Sequence, residues 1–145
     1  MKIITFINTY GAFFQTLIII VGAIIALRQL RTLNRQIRGN SLQQIEMNDR
    51  EIKKLRFNNP WLLDAPESLS SDQKERAQIY MNLLVNHAKH IFVQYDIDAI
   101  PKEYWDAVDR DMKYSVKHPI FVDACKRIRD YVPFKFKQYL DSIIP

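Results

Sequence analysis

The sequence predicts an all-α protein: a single N-terminal transmembrane helix that continues into a juxtamembrane helix, then a compact cytosolic helical bundle. Three observations predict it. No charged residue occurs from Ile3 to Leu27, and about 25 residues at 1.5 Å rise reach about 37 Å, enough to cross a hydrocarbon core of about 30 Å. Beyond that run, apolar residues recur every three and four positions, the period of a helix with one buried face. The three glycines are Gly11, Gly22 and Gly39, so the downstream segments are punctuated by proline and carry no two-residue hairpin signal. Residues 1–27 are read as the anchor, 28–58 as a basic connector and 59–145 as the cytosolic domain.

The anchor is too long for a cleaved signal peptide, and Arg28, Arg31, Arg35 and Arg38 follow it where small residues would mark a cleavage site. Only Lys2 and the amino terminus precede it, so the positive-inside rule puts the N-terminus outside and the remainder in the cytoplasm. Its polar residues share a face. Thr5, Asn8, Thr9, Gln15 and Thr16 form a stripe that continues through Gly22, Ala23 and Ala26, and Asn8, Gln15, Gly22, Gln29, Gln36 and Gln43 recur every seven residues. Gly22 and Ala26 make a small-xxx-small pair that lets helix backbones approach, and interhelical amide bonds in membranes contribute about 0.6 to 2 kcal/mol each. The stripe is thus an interface between copies, or the lining of a conduit.

In the connector, Leu27, Leu30, Leu33 and Ile37 keep helical spacing while the arginines occupy other faces. Gly39 and Asn40 are a stop signal, and Ser41 with Gln44 reads as a capping-box restart before Leu42, Ile45, Ile52 and Leu55, a hinge weighed against an unbroken rod. Asn58, Asn59 and Pro60 end this element. Trp61, Leu62 and Leu63 then form an apolar plug in a loop reaching Pro66. Ser70 with Gln73 is a second capping box, opening the longest cytosolic helix, which runs to about Tyr95 on the stripe Ala77, Tyr80, Met81, Leu84, Ala88, Ile91 and Phe92. Pro101 sits in the first turn of a helix carrying Trp105, Val108 and Met112, and Pro119 and Pro133 open two more, with Phe121, Cys125 and Ile128, then Phe136, Leu140 and Ile143.

Composition excludes several chemistries. With no glycine after residue 39, the chain lacks a phosphate-cradling loop or a dinucleotide-binding turn. The one cysteine, Cys125, permits no internal disulfide and no cysteine-rich zinc site, in keeping with a reducing cytosol. The formal charge of +5 is unevenly placed: residues 28–58 carry eight basic against three acidic residues, 96–111 two against six, and 112–145 seven against three. The juxtamembrane block suits attraction to anionic lipid.

Candidate sites divide accordingly. His87 and His90 are spaced i, i+3 without a matching carboxylate or third histidine, so no metal is expected. His118, before Pro119, reads as a helix-end cap. Asp96, Asp98, Glu103, Asp106, Asp109 and Asp111 form a solvated face, and Cys125 lies on the apolar spacing between Phe121 and Ile128 as a packing residue. The most ligand-like block interleaves cations with aromatics: Arg127, Arg129, Lys135 and Lys137 would hold an anionic ligand while Tyr131 or Phe134 stacks on it. The opposing reading is core aromatics, solvated lysines and a face toward lipid head groups.

The run from Trp105 through His118, Pro119 and Phe121 to Tyr131, Phe136 and Tyr139, after a single membrane helix and an arginine-rich connector, resembles a loose group of small bacterial single-pass membrane proteins with a short helical cytosolic domain. Some are described as phage abortive-infection proteins. The resemblance implies a bacterial inner-membrane location and no catalytic residue. In layout the chain also resembles small membrane effectors of nucleotide-signalled antiviral defence. The sequence reading is therefore a non-enzymatic homo-oligomeric membrane effector or sensor, without cofactor or duplex nucleic-acid partner, whose basic domain binds an anionic ligand or partner. The alternative is a small anchor or accessory subunit of a larger membrane complex.

Overall fold

The computed structural model describes residues 2–144, with side chains from Tyr10 onward except Ala12, and every regular element among these is helical. In chain order these are α1 (Lys2–Asn58), α2 (Ser71–Asp96), α3 (Lys102–Ser115), α4 (Pro119–Ile128) and α5 (Phe134–Ile143), with 3₁₀ turns at Pro60–Leu63, Pro66–Ser68 and Arg129–Tyr131. The chain divides into two compact units, Met1–Gly39 and Asn40–Pro145.

The first unit is helix alone. α1 is the one helix, among the described residues, long and apolar enough to cross a membrane, and its most apolar 18-residue window buries none of its residues within the molecule. From Phe13 to Leu27, ten large apolar side chains are each between 46 and 71% exposed. Full burial of one such side chain contributes about 1.5 to 3 kcal/mol, so leaving this surface in water is costly.

In the second unit α2 is central, packing most extensively on α4 and α3. Its start is fixed as the sequence indicates: Ser70 Oγ accepts the Gln73 backbone N–H at 3.3 Å, and the Ser70 N–H donates to Gln73 Oε1 at 2.9 Å. Its end lacks the usual glycine. The Asp98 N–H donates to the Tyr95 carbonyl at 3.0 Å and the Ala99 N–H to the Gln94 carbonyl at 2.8 Å, the paired bonds of a Schellman cap. Asp98 therefore takes the left-handed conformation, φ 54°, which aspartate tolerates better than most residues. Pro101 and Pro133 precede α3 and α5, and Pro119 is the first residue of α4.

The core joins Ala77, Met81, Val85 and Ile91 of α2 to Phe121 and Cys125 of α4 and to Phe136 and Leu140 of α5. Beside it Phe92, Trp105, Phe136 and Tyr139 form an aromatic cluster, with the Trp105 ring 5.0 Å from Phe92 and 4.9 Å from Tyr139, both edge-to-face. Such pairs add about 0.5 to 1.5 kcal/mol beyond area burial.

At Gly39 and Asn40, where the sequence leaves a hinge and an unbroken rod equally open, helix runs through, and Ser41, read as a cap, instead donates its hydroxyl to Gln94 Oε1 at 3.1 Å. The physical reason is packing, because Ile45 is 4% exposed in the core and Leu42 and Ile52 lie against it. Residues 40–58, read as connector, thus belong to the folded unit.

Candidate functional site

Of the polar stripe, Thr5, Asn8 and Thr9 lie outside the residues whose side chains are described. Gln15, Thr16, Gly22 and Ala26 are exposed, and nothing lies within 4 Å of where a Cβ on Gly22 would sit. Residues seven apart on a helix differ by about 20° around its axis, so Gln15, Gly22, Gln29 and Gln36 share one side of this unit. α1 therefore offers a small residue between amides on an uncovered helix.

The six predicted ligand residues occupy one region of the folded unit but line none of the clefts described below. Arg127 is exposed and makes no ion pair among the described residues. The other three cations already have acids: Lys135 Nζ lies 2.6 Å from Asp96, Lys137 Nζ 2.6 Å from Asp130, and Arg129 Nη2 3.4 Å from Asp141. The Lys137 ammonium, through hydrogen bond and charge, holds the Asp130 carboxyl below its usual range. These pairs are solvated and weak, so they orient the cations without locking them. Tyr131 and Phe134 are 87 and 73% exposed, whereas Phe136 and the Tyr139 ring are part of the core. The acidic face follows the same rule: Asp106 bonds Lys102 at 2.9 Å, and Asp109 bonds Lys113 at 2.8 Å.

A cleft that sequence reading missed is assembled by the end of α1, the Pro66–Ser68 turn, α2, α3 and the start of α4, with a volume of about 650 Å³. Met81, Leu84 and Pro66 line it beside Arg56, Tyr80, Tyr114, Lys117 and His118, with Glu67 and Asp111 also present. Lys117 Nζ sits 4.9 Å over the Tyr114 ring, a cation–π contact worth about 0.5 to 1 kcal/mol at an exposed site. Arg56 and Lys117 have no ion-pair partner among the described residues. Burial pushes the Tyr80 hydroxyl pKa up, and the nearby Arg56 charge opposes the shift.

His118 forms one wall. Its Nε2 lies 3.2 Å from the Asp64 carbonyl oxygen, which can only accept, so Nε2 carries the proton. Its Nδ1 is buried without a partner. The residue occupies the position before α4, but its side chain makes no cap hydrogen bond. It ties the segment before α2 to the start of α4 instead.

A second cleft, of about 410 Å³, runs between α1 and α2 and is lined by Gln44, Asn48, Glu51, Asn86, His87 and His90 with Ile52 and Leu55. Desolvation lowers the His87 pKa, the Asp49 charge opposes that and His90 adds to it, so a neutral ring is favoured. No group of three or more metal-ligating side chains occurs among the described residues. Cys125 is fully buried, and burial pushes its thiol up to about 12, the opposite of an activated nucleophile.

No family model, curated protein or solved structure matches the chain. Its chemistry is read from its own residues.

Proposed function

We propose that the chain is a non-enzymatic, homo-oligomeric membrane effector or sensor: copies associate through α1, and the folded unit binds an anionic ligand or partner whose occupancy biases that association. The observation that carries this reading is the exposed apolar segment of α1, which presents Gln15, Gly22 and Ala26 on one side of a surface that buries none of its most apolar window among the described residues. In lipid, apolar side chains are satisfied by acyl chains, but amides gain by pairing with amides of another copy. The 650 Å³ cleft supports the binding half, since Arg56 and Lys117 stand beside an apolar floor without an acid partner among the described residues. Glu67 and Asp111 in the same cleft favour a ligand that adds hydrogen-bond donors to its anionic group. A ligand shifts the assembly only by its differential affinity for two arrangements of it.

Native mass spectrometry of the full-length protein released from detergent tests the reading, comparing wild type with a Gln15→Leu, Gly22→Ile variant. A discrete homo-oligomer that weakens in the variant, and vesicle leakage that depends on a co-released anionic small molecule, are expected. A monomer indifferent to the substitutions would overturn it, and a stoichiometric complex with other membrane subunits would favour an accessory anchor.

A further inference from the structure

The 650 Å³ cleft, all of whose lining belongs to the folded unit, carries two charges of each sign. Arg56 comes from the end of α1, Glu67 from the Pro66–Ser68 turn, Asp111 from α3 and Lys117 from the turn after it. All four are exposed, and none makes an ion pair among the described residues, either with one another or with a further side chain. Their neighbours behave otherwise: Lys53 takes Asp49, and Arg76 takes Asp72. The four share the cleft with an apolar floor of Met81, Leu84 and Pro66.

Opposite charges that line one cleft without reaching each other restrict what can fill it. A purely anionic ligand drawn to Arg56 and Lys117 would bring its charge toward Glu67 and Asp111, and a purely cationic one would meet the reverse, with like charges weakening the binding in either case. A molecule that carries both signs can satisfy all four groups and adds no net charge to a set whose charges cancel. Its body should be apolar, because the floor offers Met81 and Leu84 side chains in place of hydrogen-bonding groups, and a methionine thioether packs favourably on an aromatic ring. The volume falls in the range of about 300 to 1,000 Å³ usual for small-ligand sites.

We propose that this cleft binds a zwitterion with an aromatic body, its carboxylate held by Arg56 and Lys117 and its ammonium by Glu67 and Asp111. The inference rests on the reading of the cleft as the binding site of the folded unit, and it narrows the ligand from any anion to a molecule that is neutral overall. A free aromatic amino acid and a short aromatic peptide share this chemistry. A nucleotide does not, since its phosphate brings net negative charge and its base no ammonium to offset it.

Equilibrium dialysis of the full-length protein in detergent micelles, with protein-free micelles as blank, tests this against L-phenylalanine, phenylalanyl-phenylalanine, 3-phenylpropionate, phenethylamine and adenosine monophosphate. Saturable binding of L-phenylalanine or of the dipeptide is expected, the tighter of the two identifying the source. The single-charge analogues, 3-phenylpropionate and phenethylamine, should each bind about tenfold more weakly, the low end for losing a charge-assisted hydrogen bond at a solvated rim. The Glu67→Gln, Asp111→Asn variant should lose the preference over phenylpropionate, and the Arg56→Gln, Lys117→Gln variant the preference over phenethylamine, with helix content unchanged by circular dichroism. Phenylpropionate or adenosine monophosphate binding as tightly as the zwitterions, and lost in Arg56→Gln, Lys117→Gln, would overturn the zwitterion while keeping the anionic-ligand reading. A preference for zwitterions that neither variant alters would overturn the assignment to this cleft. Saturation by none of the five would overturn the zwitterion and remove the support that the cleft gives to ligand binding.

Discussion

Replacing Tyr139 by phenylalanine should destabilise the folded unit near neutral pH and make it relatively more stable in alkali. The hydroxyl donates to Asp109 Oδ1 at 2.9 Å in a half-buried setting, while Asp109 keeps Lys113 at 2.8 Å on its other oxygen. A hydrogen bond to a charged acceptor contributes about 1.5 to 3 kcal/mol. Because the carboxylate stays partnered after the change, the low end applies, a loss of about 1.5 kcal/mol at pH 7. Burial raises the Tyr139 pKa most, with the Asp109 hydrogen bond and charge adding to it. A group whose folded pKa is raised gives stability that is complete below its unfolded value, about 10 for tyrosine, and lost as pH rises toward the folded value. In that window the unfolded chain releases a proton that the folded chain retains, which costs wild type about 1.4 kcal/mol by pH 11. The phenylalanine variant carries no such dependence, so the two stabilities should meet near pH 11. Tyr80 and Cys125, raised by the same physics, cancel in the comparison. Denaturant titration of full-length protein in detergent provides the assay, with Trp105 fluorescence as the probe because its ring lies 4.9 Å from Tyr139. A gap that stays constant from pH 8 to 11 would refute the argument.

Cys125 should resist alkylation at pH 8 in native protein and react within minutes in denaturant, as mass spectrometry of timed quenches would show; rapid native labelling would contradict its burial. Asp98→Gly should stabilise the unit by about 0.5 to 1 kcal/mol by relieving φ 54° at the end of α2, and a destabilised variant in a denaturant melt would count against the Schellman geometry. A fragment of residues 40–145 should unfold cooperatively, whereas 59–145, deprived of Ile45, Leu42 and Ile52, should not. Circular dichroism on heating distinguishes them, and equal cooperativity would return residues 40–58 to the connector.

Where local chemistry decides, the sequence was enough. Ser70 and Gln73 satisfy each other's backbone amides without help from elsewhere, and Pro101, Pro119 and Pro133 mark helix starts through their own fixed geometry. Where packing competes with local signals, it was not. Gly39, Asn40 and Ser41 carry the chemistry of a helix stop and restart, but the apolar side chain of Ile45 and the hydroxyl contact of Ser41 both depend on α2, some fifty residues away. The C-terminal cations were visible as a composition, and Asp130 and Asp141 lie in the same stretch, but Asp96, which Lys135 meets, stands 39 residues earlier at the end of α2, where only the fold brings it near. His118 shows the same limit: the position before Pro119 suggests a cap, and a carbonyl 54 residues earlier takes the ring instead. The 650 Å³ cleft draws on five segments, none with a pattern of its own.

The core of the folded unit begins at Ile45 and closes at Leu140, which has a consequence for the chain during its synthesis. Ninety-five residues separate the two, or about 5 to 20 s of translation. Through those seconds Ile45, Leu62 and the α2 stripe exist without Phe136 and Leu140 to cover them, while the apolar run that precedes them is already complete. Whatever receives that run does so before the unit can fold, so a ribosome stalled in between would leave a sticky, tethered intermediate exposed to chaperones and proteases. Slowing translation across α3 and α4 should lengthen that exposure and lower yield without altering the finished protein.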